Sequence, residues 1–245
     1  IGGTRNATAT GTPQTITITD DDASPTVTLI VGANSINENT GATSTLVTAR
    51  LSVVSGRDVT VSLGKGGTAT NNTDYTLNNS IVILKSATST AITLAAVGDT
   101  VSEANETVVV DIAGVTNGSE QGVQQLSVTI VDDDTPPTVT LTVGNASISE
   151  TGGLTQVTAS LSASSAQTVT VDLVRSGTAT ITSDYTLVGQ ISIVPGQTSA
   201  SVTLTAVHDT FDEANETVVI DISTVTNGSE NGTQTAPTPI VDDDA

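Results

Sequence analysis

Two acidic stretches hold the side chains best placed to do chemistry. Asp99-Thr100-Val101-Ser102-Glu103-Ala104-Asn105-Glu106-Thr107 recurs later in the chain as Asp209-Thr210-Phe211-Asp212-Glu213-Ala214-Asn215-Glu216-Thr217. Runs of three aspartates follow a similar rhythm: Asp132, Asp133 and Asp134 are matched by Asp242, Asp243 and Asp244, and earlier by Asp20, Asp21 and Asp22. Further acids stand in or beside turns at Glu38 and Asp74, with counterparts at Glu150 and Asp184. Two unit charges about 4 Å apart repel by about 1 kcal/mol even in water, so acids packed this densely call for a positive partner. Calcium takes about 6–8 oxygen ligands, mainly carboxylates, carbonyls and water, and those are the donor types on offer. A lone loop aspartate is ordinarily just solvated. This set recurs in register while its surroundings drift, as in Gly98 against His208 and Ser102 against Asp212.

The elements that must position these acids are strands. Val59-Thr60-Val61-Ser62-Leu63 and Val108-Val109-Val110-Asp111-Ile112 alternate as half-buried strands do. No stretch has a convincing helical period. Seven strands are expected in the first repeat, near 26–31, 46–53, 59–63, 80–84, 91–97, 107–112 and 124–131. Gly and Asn clusters at 64–67, 71–72 and 117–118 are read as the breaks between them. Pro25-Thr26-Val27-Thr28-Leu29 matches Pro137-Thr138-Val139-Thr140-Leu141, and Asp74-Tyr75-Thr76-Leu77 matches Asp184-Tyr185-Thr186-Leu187. The spacing from Asp74 to Asp184 is the length of a domain, too long for a solenoid unit. The chain is therefore read as residues 1–22, the terminal strand of a preceding repeat, followed by repeats at 23–134 and 135–245. Seven antiparallel strands in that length is the arithmetic of an immunoglobulin-like sandwich. Thr135-Pro136-Pro137 makes the joint between repeats short and semi-rigid.

Composition narrows the function classes. About a fifth of the 245 residues are Thr, and with no Cys, Met or Trp the core must come from Val, Ile, Leu, Ala and Thr methyl groups. Twenty-six acids against six bases leave a net charge of -20, which excludes a phosphate-neutralising surface and argues against anionic membranes. No stretch reads as a membrane span. An enzyme is not expected: there is no phosphate loop and no repeated nucleophile–base pair. Three aromatic residues, Tyr75, Tyr185 and Phe211, cannot build sugar platforms around paired carboxylates. The single histidine, His208, reads as a loop residue, Tyr75 and Tyr185 as buried anchors, and Lys65 and Arg175 as surface charges.

Gly67-Thr68-Ala69 followed by Asp74-Tyr75, Asp99 followed by Glu103-Ala104-Asn105-Glu106-Thr107, and the terminal aspartates together resemble the Calx-beta domains of sodium–calcium exchangers, integrin β4 and bacterial surface proteins. The resemblance covers both repeats and implies an Ig-like sandwich binding calcium at one tip. It implies metal ligands at Glu38, Asp74, Asp99, Glu103, Glu106, Asp132, Asp133 and Asp134, with the carbonyl of Val101. In the second repeat these become Glu150, Asp184, Asp209, Glu213, Glu216, Asp242, Asp243 and Asp244, with the carbonyl of Phe211. The chain departs from the family where two consecutive acids are common, having Gly98-Asp99 and His208-Asp209 instead.

The expectation is thus an all-β chain of two tandem seven-stranded antiparallel sandwiches. Its function would be a calcium-binding extender within a larger extracellular, surface-attached or secreted adhesin-like protein. The partners expected are calcium ions, neighbouring repeats and a host surface or glycan, with no nucleic acid, no membrane insertion and a monomeric state. Two alternatives share the sequence pattern: a module adhering to a surface, glycan or ice through exposed Thr faces, and a calcium-sensing regulatory domain.

Overall fold

In a computed structural model describing residues 14–38 and 43–244, the alternating stretches become strands, and no helix is present among the described residues. The first repeat runs β1 (Thr26–Val31), β2 (Ser35–Asn37), β3 (Ser44–Leu51), β4 (Val59–Gly67), β5 (Tyr75–Thr76), β6 (Ser80–Ile83), β7 (Ser89–Ala96), β8 (Glu106–Thr116), β9 (Ser119–Glu120) and β10 (Gln125–Val131). The second repeats the order as β11 (Thr138–Val143), β12 (Ile148–Ser149), β13 (Leu154–Leu161), β14 (Val169–Gly177), β15 (Tyr185–Thr186), β16 (Gln190–Ile193), β17 (Ser199–Ala206), β18 (Glu216–Thr226), β19 (Ser229–Glu230) and β20 (Thr235–Val241).

Each repeat is a sandwich of two five-stranded sheets, ordered β5-β7-β3-β1-β9 and β2-β10-β8-β4-β6 in the first. The seven expected strands are β1, β3, β4, β6, β7, β8 and β10. β2, β5 and β9 add two or three residues each, too few to show a period in the sequence. The inward residues of β3 are Thr45, Val47, Ala49 and Leu51, all buried, and their neighbours face out. Val27, Val61, Leu94, Val108 and Val128 complete the same dry layer. Threonine also enters the core: the hydroxyl of buried Thr45 accepts a bond from Ala33 N at 2.7 Å, whereas that of fully buried Thr238 in β20 has no hydrogen-bond partner. Tyr75 and Tyr185 are buried, 1% and 2% exposed, and anchor the edge strands β5 and β15.

One expected break is not a break. Residues 64–67 continue β4, pairing with β8 from Gly64 opposite Asp111 to Gly67 opposite Val108, past a register shift at Ser62/Leu63. Gly67 has a positive φ, and a Cβ there would overlap the Thr107 carbonyl oxygen. Glycine is required by that close approach, not by a turn. Lys65 also departs from expectation. Its stem is half-buried and its ammonium donates to the Leu77 carbonyl; Arg175 does the same to Leu187 O at 2.7 Å.

Among the described residues, hydrogen bonds join the two repeats at one place beyond the linker. The Ser102 carbonyl accepts from Ala166 N and from Ser165 Oγ, both at 3.1 Å, and Ser102 and Ser165 are 4% and 2% exposed. Residues 14–24 pair with no strand among the described residues, and the expected strand at 1–22 lies partly outside them.

Candidate metal centre

The sheet order gathers four segments at one pole of each sandwich. β10 runs out into Asp132, and β2 lies parallel to it with Asn37 opposite Val131, so the next residue, Glu38, arrives beside the aspartates. Glu38 N donates to Val131 O at 2.8 Å. β7 runs out into the acidic turn, and the turn before β5 supplies Asp74.

Local chemistry fixes each segment. Thr70 N donates to Asp74 Oδ2 at 2.5 Å, and Asp74 N donates back to Thr70 O at 2.9 Å. Between them Asn72 takes a positive φ, a conformation Asn tolerates better than most residues. The Asp74 carbonyl accepts from Val97 N at 2.9 Å, which ties this turn to the entry of the acidic one. Asp99 Oδ1 accepts from Val101 N at 2.6 Å, and Asp209 Oδ1 from Phe211 N at 2.8 Å. Glu106 opens β8 opposite Ile130. The Gly67-Thr68-Ala69 motif holds the residue after it: Thr107 N donates to Thr68 Oγ1 at 2.8 Å and Ala69 N to Thr107 O at 3.0 Å. That motif is a clamp for the glutamate.

The result is a knot of like charges. Oxygens of Asp74, Glu103 and Glu106 lie within 4.8 Å of one another, as do those of Asp184, Glu213 and Glu216. In the second repeat Glu150, Asp184, Glu213, Glu216 and Asp242 line a hollow of 10 Å³. That is room for a single ion or water. Burial, then the charges of Glu103, Asp99, Asp132 and Asp134, push Glu38 up to about 7. Burial and Asp74 push Glu106 to about 7, and burial and Asp184 do the same to Glu216. Glu103, Asp134 and Glu213 are raised as well, each by desolvation first and neighbouring carboxylates second.

Three carboxylate oxygens decide what the knot is suited to hold. Asp132 Oδ1, Asp242 Oδ1 and Asp244 Oδ2 are buried with no hydrogen-bond partner. A buried acceptor left unbonded costs on the order of 1–3 kcal/mol, more when charged. A hard cation satisfies such oxygens and the neighbouring charges together, so the donor set fits one.

The aspartate runs alternate as strand residues do. Asp132 and Asp134 are half-buried whereas Asp133 faces solvent. Asp243, likewise outward, is engaged elsewhere: its Oδ1 accepts from Thr151 Oγ1 at 2.9 Å. Glu150 is 7% exposed and accepts from Asp209 N at 2.9 Å. His208, read as a loop residue, belongs to the tip: its Nδ1 lies 4.0 Å from Glu150 Oε1, and it groups with Glu150 and Asp244. Asn105 and Asn215 position the tip and are not among the residues expected to act there. Their Oδ1 atoms accept from Asp132 N and Asp242 N, both at 3.1 Å, locking the aspartate run to the acidic turn. Their recurrence at the same place in Glu-Ala-Asn-Glu is the available signal.

Two sandwiches in tandem, each with a carboxylate-lined tip, define a class of acidic-tipped Ig-like repeats. Within that class the chain belongs to the Calx-beta domain family, which matches residues 20–134 and again 132–244. The two matches overlap at Asp132, Asp133 and Asp134. Among solved structures the chain is similar to CBD12 from CALX1.2, at 15% identity over 88% of this chain and 99% of that one, with a TM-score of 0.39. It is also similar to the calcium binding domain CBD12 of CALX1.1, at 17% identity over 78% and 77%, TM-score 0.33. The apo-form Calx CBD1 domain matches at 18% identity over 44% of this chain and 99% of that one, TM-score 0.36. No curated protein matches the chain.

Proposed function

We propose that this chain is a calcium-binding stretch of serial repeats, 23–134 and 135–245, within a larger extracellular, surface-attached or secreted adhesin-like protein. The ligands in the first repeat are Glu38, Asp74, Asp99, Glu103, Glu106, Asp132 and Asp134, with the Val101 carbonyl. In the second they are Glu150, Asp184, Asp209, Glu213, Glu216, Asp242 and Asp244, with the Phe211 carbonyl. Asp133 and Asp243 face outward and contribute through charge. Calcium, when bound, supplies the positive charge these groups lack. The role is structural and not catalytic.

One observation carries the reading. Asp132 presents a buried, unbonded oxygen to a tip whose acidic turn also carries Ser102, the residue pressed against the following repeat. Carboxylates at the tip therefore share a turn with the joint. Neutralised, Glu103 and Asp132 hold the turn that carries Ser102 in place; unneutralised, they repel and loosen it. Small-angle scattering of the chain in calcium and in chelator tests this. The expected result is a longer, narrower distance distribution with calcium. Identical distributions would overturn the stiffening role, and an unmoved melting midpoint would overturn binding itself.

A further inference from the structure

The contact joining the two repeats has a turn half and a receiving half, and each repeat carries both. In the joint, Ser102 of the acidic turn presents its carbonyl to the loop after β13, where Ser165 Oγ also accepts from Gln167 N at 3.0 Å. The corresponding loop of the first repeat has the same frame: Arg57 N donates to Ser55 Oγ at 3.0 Å, and Ser86 N to Ser55 O at 2.9 Å, as Gly196 N does to Ser165 O at 2.9 Å. There the Ser55 hydroxyl meets no carbonyl among the described residues, and Val53 and Val54 are 52% and 59% exposed. The acidic turn of the second repeat is open in the complementary way. Phe211 is 69% exposed and Asp212 is exposed, whereas Val101 and Ser102 are half-buried and buried.

The open halves are also where the side chains change. Asp212 replaces Ser102 and Phe211 replaces Val101 on the turn side; Arg57 replaces Gln167, and Val53 and Val54 replace Ala163 and Ser164, on the receiving side. The two open faces therefore gain apolar groups together and charges of opposite sign. Arg57 has no ion-pair partner among the described residues. Ahead of this loop, residues 14–22 match the strand that closes a repeat, yet Ile16 and Ile18 are 86% and 93% exposed. Their counterparts Val128 and Ile130 are 0% and 2% exposed. Asp20 and Asp22 line a hollow shared with Val54, Ser55 and Arg57.

We propose that the Val53-Val54-Ser55-Gly56-Arg57 loop receives the acidic turn of a further Calx-beta repeat standing ahead of it in the same polypeptide. Residues 14–19 complete that repeat's sheet by strand addition. Ser55 Oγ donates to the turn's carbonyl, Val53 and Val54 cover the residue at the Phe211 position, and Arg57 pairs with the acid at the Asp212 position. Such a contact is weak between separate chains and strong in series, because linkage raises the effective concentration to about millimolar. The proposal rests on the serial-repeat reading above.

Asp242-Asp243-Asp244-Ala245 has the same residues as Asp20-Asp21-Asp22-Ala23, so Ala245 of one full chain can be joined to Ser24 of a second in register. The chain has no cysteine, which makes disulfide trapping clean. Asp212→Cys in the leading copy with Arg57→Cys in the trailing copy is expected to cross-link at least tenfold faster than Asp212→Cys with Leu46→Cys, an exposed position on the outer sheet face. An equimolar mixture of unlinked Asp212→Cys and Arg57→Cys chains is expected to cross-link at least tenfold more slowly than the linked pair. Equal rates for the two linked pairs would overturn the docking surface. Unlinked chains reacting as fast as linked ones would overturn the serial arrangement in favour of a second chain as occupant. A calcium melt on the same linked protein separates failures: a calcium-shifted midpoint with unselective cross-linking sinks the joint and leaves calcium binding standing.

Discussion

If the tip carboxylates are the proposed calcium ligands, proton and calcium compete for them, and the competition has a sign. Glu38, Glu106 and Glu216 lie near 7 in the folded chain without a cation, against an ordinary 4.5. The folded state then holds protons that the unfolded chain has released. Its stability is therefore highest below about pH 4.5, declines as pH rises, and has lost this contribution above about pH 7. At about 1.36 kcal/mol per pH unit the displacement corresponds to about 3 kcal/mol for each group. Solvent screening around these partly open sites reduces that to about 1 kcal/mol. A change of about 1 kcal/mol moves the midpoint of a domain this size by roughly 4–8 °C. In chelator, the melting midpoint is thus expected to fall by about 5–10 °C between pH 5 and pH 8. With calcium the slope is expected to reverse, because the proposed ligands are deprotonated carboxylates: at a hundred times Kd the ion would add about 2.7 kcal/mol per site, a gain that shrinks toward pH 5. Calorimetry in four conditions, pH 5 and 8 with calcium and with chelator, reads both slopes. Equal calcium shifts at the two pH values would refute the assignment of these glutamates to the site.

Other substitutions test separate parts of the arrangement. Glu38→Gln is expected to raise the chelated midpoint at pH 8 by relieving repulsion, while weakening calcium binding in the first repeat about tenfold (on the order of 1.4 kcal/mol) and leaving the second unchanged in isothermal titration. Asn105→Ala removes the acceptor for Asp132 N and should cost about 1 kcal/mol, read from denaturant midpoints in chelator. Gly67→Ala forces a left-handed residue against the Thr107 carbonyl and is expected to cost about 2–4 kcal/mol. Gly66→Ala meets open space and should stay within about 0.5 kcal/mol, so matched losses would point away from the clamp. Leu94→Ala, at a fully buried core position, is expected to cost about 2–5 kcal/mol, seen as an earlier unfolding step of the first repeat.

The repeat, the strand periods and the acids that recur are legible because each is local or repeats within the chain. Alternation in Val59-Thr60-Val61-Ser62-Leu63 announces a half-buried strand without reference to anything distant, and residues 132–134 announce themselves by their twin. Residues 64–67 mislead for the same reason. Glycines punctuate loops in a sequence, and nothing nearby reveals that Gly67 is there to let the carbonyl of distant Thr107 approach its backbone. β2, β5 and β9 escape because two or three residues show no period.

What the sequence by itself determined is the inventory: all-β repeats, a core of Val, Ile, Leu and Thr, and acidic residues in matched turns. Only the tertiary structure decided which of those acids meet. Parallel pairing of β2 with β10 carries Glu38 to Asp132, and strand alternation turns Asp133 to solvent while Asp132 and Asp134 are half-buried. Asn105, just ahead of β8, accepts from Asp132 N at the end of neighbouring β10 and so fastens the aspartate run to the turn. The joint is the clearest case. Ser102 and Ser165 differ in no sequence property from dozens of other serines and threonines, and they matter only because the fold presses one tip against the next repeat. Charge and period are properties of residues. Adjacency belongs to the packed chain, where two sheets closing on one core leave each loop a single place to go.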